Sequence, residues 1–244
     1  MAPSPPTGPP AASAPSELPA PGSHRAVRRA NRRASSGRRL VSFDRGLGVR
    51  FVAGADEAGR GCLAGPLVAA AVLLDIDRLG VREVRALHAL NDSKQHDAAA
   101  REELLPIVMR TATRVAVVSR SATGIDERGL HRTNLLALRD ALVRVAVPGC
   151  LCLIDGFAVP DLEHEQRPIV DGDATSPAIA AASIVAKVTR DRFMRRADEL
   201  HPGWEFGRHM GYSTPEHRAA IQAQGVSALH RMSFQSTAYQ QLAL

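Results

Sequence analysis

From residue 49 onward, short apolar runs alternate with longer stretches in which apolar residues recur at helical spacing. Val49 to Ala55 and Leu67 to Leu74 are runs of strand length, and the glycine-rich stretch from Gly59 to Gly65 between them predicts two neighbouring strands joined by a loop. Arg114 to Ser121 predicts a third strand, preceded by a helix from about Asp97 to Thr111. Leu130, Leu135, Leu138, Leu142 and Val145 predict one long helix from Ile125 to Val145. Cys150 to Ile154 and Pro168 to Val170 predict short buried strands ending at Asp155 and just before Asp173. Ser176-Pro177 supplies an N-cap and a first helical residue for a helix reaching about Glu199. Strands interleaved with helices predict an α/β fold, a central sheet flanked by helices, whose polar chemistry sits at strand ends.

The first 45 residues break this pattern. Eight of the 16 prolines precede residue 22, and residues 24–39 are arginine-rich. Such a segment has too few large apolar groups to offset its ordering entropy, which predicts a disordered Pro/Ala/Arg-rich basic tail over 1–45 and a catalytic domain over 46–244. The tail also explains the charge. Residues 1–50 hold nine arginines against Glu17 and Asp44, a balance of +7 out of the net +6, so the remainder stands at −1. Polyanion binding must therefore be argued from local groups, not from the overall basicity. The three cysteines, Cys62, Cys150 and Cys152, form neither a CxxC pair nor a set with metal-spaced histidines, which speaks against a disulfide framework or a zinc site. No apolar run reaches the roughly 18 residues of a membrane span and no secretory signal is evident, so a cytoplasmic protein without membrane attachment is expected. Nothing in the chain requires more than a monomer.

Three acidic positions fall at predicted strand ends: Asp56-Glu57, Asp155 and Asp173. Each taken singly is open to a bland explanation, since an acid after a strand is often a turn or cap residue. Together they match a different need. A phosphodiester repels an incoming hydroxide, and hydrolysis without a covalent intermediate commonly uses divalent cations held by oxygen ligands to screen that charge. Gly59-Arg60-Gly61 follows the acidic pair, offering backbone N–H groups unobstructed by a Cβ and an arginine able to reach phosphate. It is neither a Walker A loop, since no Gly-Lys-Ser/Thr follows, nor a dinucleotide fingerprint, since Cys62 to Pro66 does not open a helix. Ser183, Lys187 and Arg190 share one helix face, a polar stripe that suits either a phosphate backbone or solvent. His209, His217 and His230 lie in a polar, turn-rich stretch too irregular for zinc.

Taken in order, these stretches resemble ribonuclease HII, the type 2 ribonuclease H family. The matching runs are Gly54-Ala-Asp-Glu-Ala-Gly-Arg-Gly-Cys-Leu-Ala-Gly-Pro66, Asn91-Asp-Ser-Lys94, Leu153-Ile-Asp-Gly156, Gly172-Asp173, Ile179-Ala-Ala-Ala-Ser-Ile-Val-Ala-Lys-Val-Thr-Arg-Asp191, His209-Met-Gly-Tyr212 and His230-Arg-Met-Ser-Phe234, spanning about residues 50 to 235. The resemblance implies an RNase H-like mixed sheet flanked by helices, with a C-terminal helical extension. It implies endonucleolytic cleavage of RNA in RNA–DNA hybrids and of duplex DNA containing a ribonucleotide, with Mn²⁺ or Mg²⁺ as cofactor and 3′-hydroxyl and 5′-phosphate products. By motif, Asp56, Glu57, Asp155 and Asp173 take the places of the four metal-binding carboxylates. Gly59, Arg60 and Gly61 match the loop that senses the 2′-hydroxyl, Tyr212 a tyrosine that stacks on the sugar at the junction, and Ser183 and Lys187 phosphate contacts.

Asp171 and Met210 stand where the family often carries lysine, so the site is expected to be less basic than its relatives. Three other readings compete. A ribonuclease HIII-like protein would carry a folded N-terminal domain and a Glu at the fourth acidic position, unlike Asp173. A catalytically dead nucleic-acid binder would gain nothing from clustered carboxylates. A small-molecule phosphatase would leave Gly59 to Gly61 and Tyr212 unexplained.

Overall fold

The structure, a computed structural model, describes residues 40–87, 90, 97–234 and 239. The expected tail up to residue 39 and the Asn91 to Lys94 run lie outside them. Five strands form one sheet in the order β3-β2-β1-β4-β5. β1 (Phe51–Ala58), β2 (Leu67–Asp75) and β3 (Arg114–Arg120) pair antiparallel, while β4 (Leu151–Asp155) and β5 (Gln166–Ile169) run parallel to β1. β2 reads as an unbroken apolar run because all of it is buried, with helices covering both faces of the sheet. Pro168 lies in β5, an edge strand, where a residue without an N–H is tolerated.

The two sides of the sheet carry separate cores. On one, Val52, Val72 and Leu153 pack under α6 (Pro177–Leu200), joined by Val108 of α3 (Ala98–Thr111); the buried pair Arg101–Asp191, at 3.2 Å, ties these helices together. On the other, Ala53, Leu73, Cys152 and Ile154 pack against Leu138 and Leu142 of α5 (Leu130–Val145). α6 begins where its sequence says it should: the Ser176 hydroxyl accepts from the Ala178 and Ile179 N–H groups and Pro177 opens the helix. The small residues Ala180, Ala181 and Ala182 let the helix lie close to the sheet, closest at Gly54, where a Cβ would sit 2.1 Å from the Ala178 carbonyl carbon.

Three expectations change. The single helix expected over 125–145 is two, α4 (Ala122–Arg128) and α5, because Gly129 breaks the helix with φ +77°. Helix α1, residues 40–45, stands where no helix was expected, and its Val41 joins the core under α6. Leu40, Val41 and Asp44 are buried, and Asp44 Oδ2 accepts a 3.1 Å bond from the Ser176 hydroxyl at the start of α6. A carboxylate interaction with a helix N-terminus is not visible as periodicity. Finally, β1 continues through Ala58, so Asp56 and Glu57 lie within the strand instead of beyond it. α2 (Val81–Leu87) precedes α3, and α7 (Phe206–His209) and α8 (Pro215–Gln224) form the C-terminal helical extension.

Candidate active site

Parallel pairing brings the first two acids together. Ala55 of β1 stands opposite Ile154 of β4, so the next residues, Asp56 and Asp155, emerge side by side toward α6. Asp56 accepts from the Ser183 hydroxyl of α6 and, at 2.7 Å, from the Glu57 N–H. Asp155 Oδ1 accepts a 2.8 Å bond from the Gly172 N–H in the 3-10 turn Gly172–Ala174, which carries buried Asp173. The fit at Gly172 is close: a Cβ would stand 2.6 Å from Ile179 Cδ1, so the Ile179 side chain would have to shift. Glu57 faces the other way. Successive strand residues alternate, so it points toward α5, where Asn134 hydrogen-bonds to it and the Arg60 guanidinium lies 3.9 Å away.

Burial pushes the Asp56 carboxyl up to about 7 against the opposing Ser183 bond, and the charges of Glu57 and Asp155 add to the rise. Glu57 is raised too, first by burial, with Asn134 and Arg60 opposing. Among the described residues, no three Asp, Glu, His or Cys side chains are gathered into a ready chelate. For Asp56 and Glu57 the cause is their alternation across the sheet. The donors still fit a hard divalent cation: they are carboxylate oxygens, desolvated, with a repulsion that positive charge would relieve.

The loop after β1 lies along the same helix. Gly59, at φ +89°, rests on Arg190 so closely that a Cβ would fall 2.0 Å from its Nε. Among the described residues nothing lies within 4 Å of a Cβ position at Gly61, and Arg60, its side chain 41% exposed, lies over the Phe157 ring at 5.8 Å. The polar stripe on α6 therefore divides. Ser183 turns inward to Asp56, Lys187 is half-buried, and Arg190 is neither solvent-facing nor open to phosphate but 1% exposed. Tyr212 is 41% exposed, with the Arg190 guanidinium 5.9 Å from its ring centre.

Sequence reasoning passed over Asn134 and Phe157 and does not reveal that Arg190, in the polar stripe, and Arg231 are buried. Asn134 carried a signal: it lies on the core face of α5, in line with Ala137, Leu138, Ala141 and Val145, where a polar residue needs a partner. Beneath Tyr212 the three histidines form a hydrogen-bonded stack, not a zinc site. His217 Nδ1 must donate to the Tyr212 carbonyl at 2.9 Å, so its Nε2 accepts, at 3.1 Å, from His230 Nε2, whose own Nδ1 accepts from the Ser227 N–H. His209 stacks on His217 at 4.1 Å.

Burial holds His217 and His230 down at about 4. In an unfolded chain they would protonate near the usual 6.5, so between those values the unfolded state binds more protons. Their contribution is complete above about pH 6.5 and is lost as the pH falls toward 4. Thermal midpoints should fall over that window, and a His217→Gln/His230→Gln double variant should show a flatter decline. An unchanged slope would mean that this pair does not carry the effect.

The sequence profile of the family Ribonuclease HII matches residues 53–237. A Ribonuclease HII from Rhizobium johnstonii is 51% identical over 184 residues, covering 75% of this chain and 77% of that protein. One from Mycolicibacterium gilvum is 45% identical over 205 residues, covering 83% of this chain and 78% of that protein. The crystal structure of ribonuclease H2 from Pyrococcus horikoshii superposes with a TM-score of 0.65 at 24% identity, over 79% of this chain and 96% of that one, which bears on the fold. The matched range takes in the acidic positions, the loop after β1 and most of the sheet, and the chain therefore belongs to the ribonuclease HII family.

Proposed function

We propose that this protein is an endoribonuclease that hydrolyses the RNA strand of RNA–DNA hybrids and cuts duplex DNA on the 5′ side of an embedded ribonucleotide, leaving 3′-hydroxyl and 5′-phosphate ends. The observation that carries the reading is the placement of Asp56 beside Asp155 on two neighbouring parallel strands, with Gly59-Arg60-Gly61 in the loop that follows β1.

Asp56, Glu57, Asp155 and Asp173 would hold a divalent cation, Mn²⁺ or Mg²⁺. Bound there, it would screen the phosphate charge and acidify an attacking water. Ser183 orients the Asp56 carboxylate and Asn134 that of Glu57. The open side of Gly61 leaves backbone accessible to a 2′-hydroxyl, the group that separates RNA from DNA. Arg60 and Lys187 supply positive charge for phosphates, and the exposed Tyr212 ring is free to stack on the sugar at the RNA–DNA junction. The Arg-rich stretch before residue 40 would add nonspecific attraction as a tail outside the catalytic domain. In this reading the protein works as a cytoplasmic monomer, removing ribonucleotides left in replicated DNA.

The test is a DNA duplex carrying one ribonucleotide, incubated with Mn²⁺, with Mg²⁺ or with chelator. Cutting 5′ of the ribonucleotide in either metal, none with chelator and none on an all-DNA duplex is the expected outcome. Binding without cutting in both metals would refute the assignment.

A further inference from the structure

The loop over residues 59–66 is wrapped around two buried cations. Arg190 Nε donates to the Pro66 carbonyl at 2.9 Å, its Nη2 to Ala64 at 3.0 Å and its Nη1 to Met210 at 2.8 Å. Arg231 donates to the Gly65 carbonyl from Nε at 3.0 Å and from Nη2 at 2.9 Å, and to the Arg60 carbonyl from Nη1 at 3.1 Å. Backbone bonds fasten the same loop to the C-terminal segments: the Leu63 N–H donates to Gly211 and the Arg231 N–H to Leu63, both at 2.8 Å.

Arg190 and Arg231 are 1% and 0% exposed. Such burial is costly for a cation, and it pushes Arg231 down to about 10, leaving it charged at neutral pH. A loop that needed only to be closed would manage with apolar packing. Two planar forks, each gripping carbonyls in fixed directions, do something more specific, because they set the orientation of successive peptide units. Arg190 also joins two otherwise separate elements: one side of it is filled by Gly59, and Tyr212 lies over it, with the Met210 carbonyl two residues earlier held by its Nη1.

We infer that Arg190 and Arg231 are positioning residues for ribose selectivity, holding the Gly59-Arg60-Gly61 backbone and Tyr212 in one rigid register so that a single 2′-hydroxyl is tested at the site where its sugar is stacked. This rests on the proposed nuclease function, and it separates the two substrates of that function. An embedded ribonucleotide presents one 2′-hydroxyl in one register. A continuous hybrid presents many, so a loosened loop still finds one.

The experiment compares Arg190→Lys and Arg231→Lys with the unaltered protein on a single-ribonucleotide duplex and on a continuous RNA–DNA hybrid, with Mn²⁺ affinity measured by calorimetry and thermal midpoints recorded alongside. Lysine keeps the charge but lacks the fork. For each variant kcat/KM on the single ribonucleotide is expected to fall at least tenfold more than on the hybrid, with Mn²⁺ affinity unchanged. Equal losses on both substrates, or no loss on either, would overturn the inference. If a lysine variant does not fold, the corresponding glutamine variant, which keeps an N–H donor without the planar fork, must produce the same substrate split; an unselective loss there counts against the inference. An unaltered protein that cuts neither substrate would instead refute the nuclease reading beneath it.

Discussion

Asp56→Asn is expected to lower turnover on a ribonucleotide-containing duplex by on the order of 10³-fold or more, equivalent to about 4 kcal/mol of transition-state stabilisation, without loss of the fold. Asparagine keeps the shape and an oxygen that can still accept from Ser183 and from the Glu57 N–H. What it removes is one of the buried negative charges that Glu57 and Asp155 oppose. The metal-free variant should therefore melt no lower than the unaltered protein, while divalent ions should raise its midpoint less. Thermal melts with and without Mn²⁺, run beside the cleavage assay, check both halves. A variant with full activity would remove Asp56 from the metal site, and one that melts much lower would show the carboxylate to be structural.

Gly54→Ala is the substitution expected to damage stability most, although it adds one methyl group far from solvent. Its Cβ would meet the Ala178 carbonyl carbon at 2.1 Å, the Ile179 nitrogen at 2.3 Å and the Ala178 oxygen at 2.4 Å. These are backbone atoms at the first turn of α6, so no rotamer change relieves the overlap. The helix must rise from the sheet, at a cost of roughly 3 kcal/mol or more. Because the 3-10 turn bearing Asp173 leads directly into α6 and Ser183 lies on it, the remaining folded protein should also lose activity. Denaturant midpoints measure the first effect. An unchanged midpoint would show that the sheet and helix are less closely seated than described.

Much of this was legible in the chain because local chemistry and tertiary need coincide. The apolar runs of β1, β2 and β4, the Ser176-Pro177 start of α6 and the helical stretch of α3 all say locally what the fold requires. Asp56 and Asp155 were readable as acids at strand ends, and parallel pairing supplies the rest. The opposed faces of Asp56 and Glu57 were hidden by ending the first strand at Ala55; with β1 extended to Ala58, alternation alone separates them. Arg190 and Arg231 escaped for another reason. Arginine is almost never fully buried, so a sequence reading assigns it to the surface, and only the folded loop reveals carbonyls in need of donors. α1 was lost beside the arginine-rich stretch, where its few apolar residues gave no period to detect.

The division of support between the two acids of β1 bears on how the enzyme would fail under stress. Asp56 depends on Ser183 from the helix layer over one face, and Glu57 on Asn134 from the layer over the other. Proteins open in cooperative pieces, and two layers with separate cores need not open at the same free energy. Release of either layer disorders one carboxylate while the other stays in place. Heat inactivation should accordingly precede the loss of bulk helicity, and amide exchange in whichever helix opens first should follow the same temperature dependence as activity.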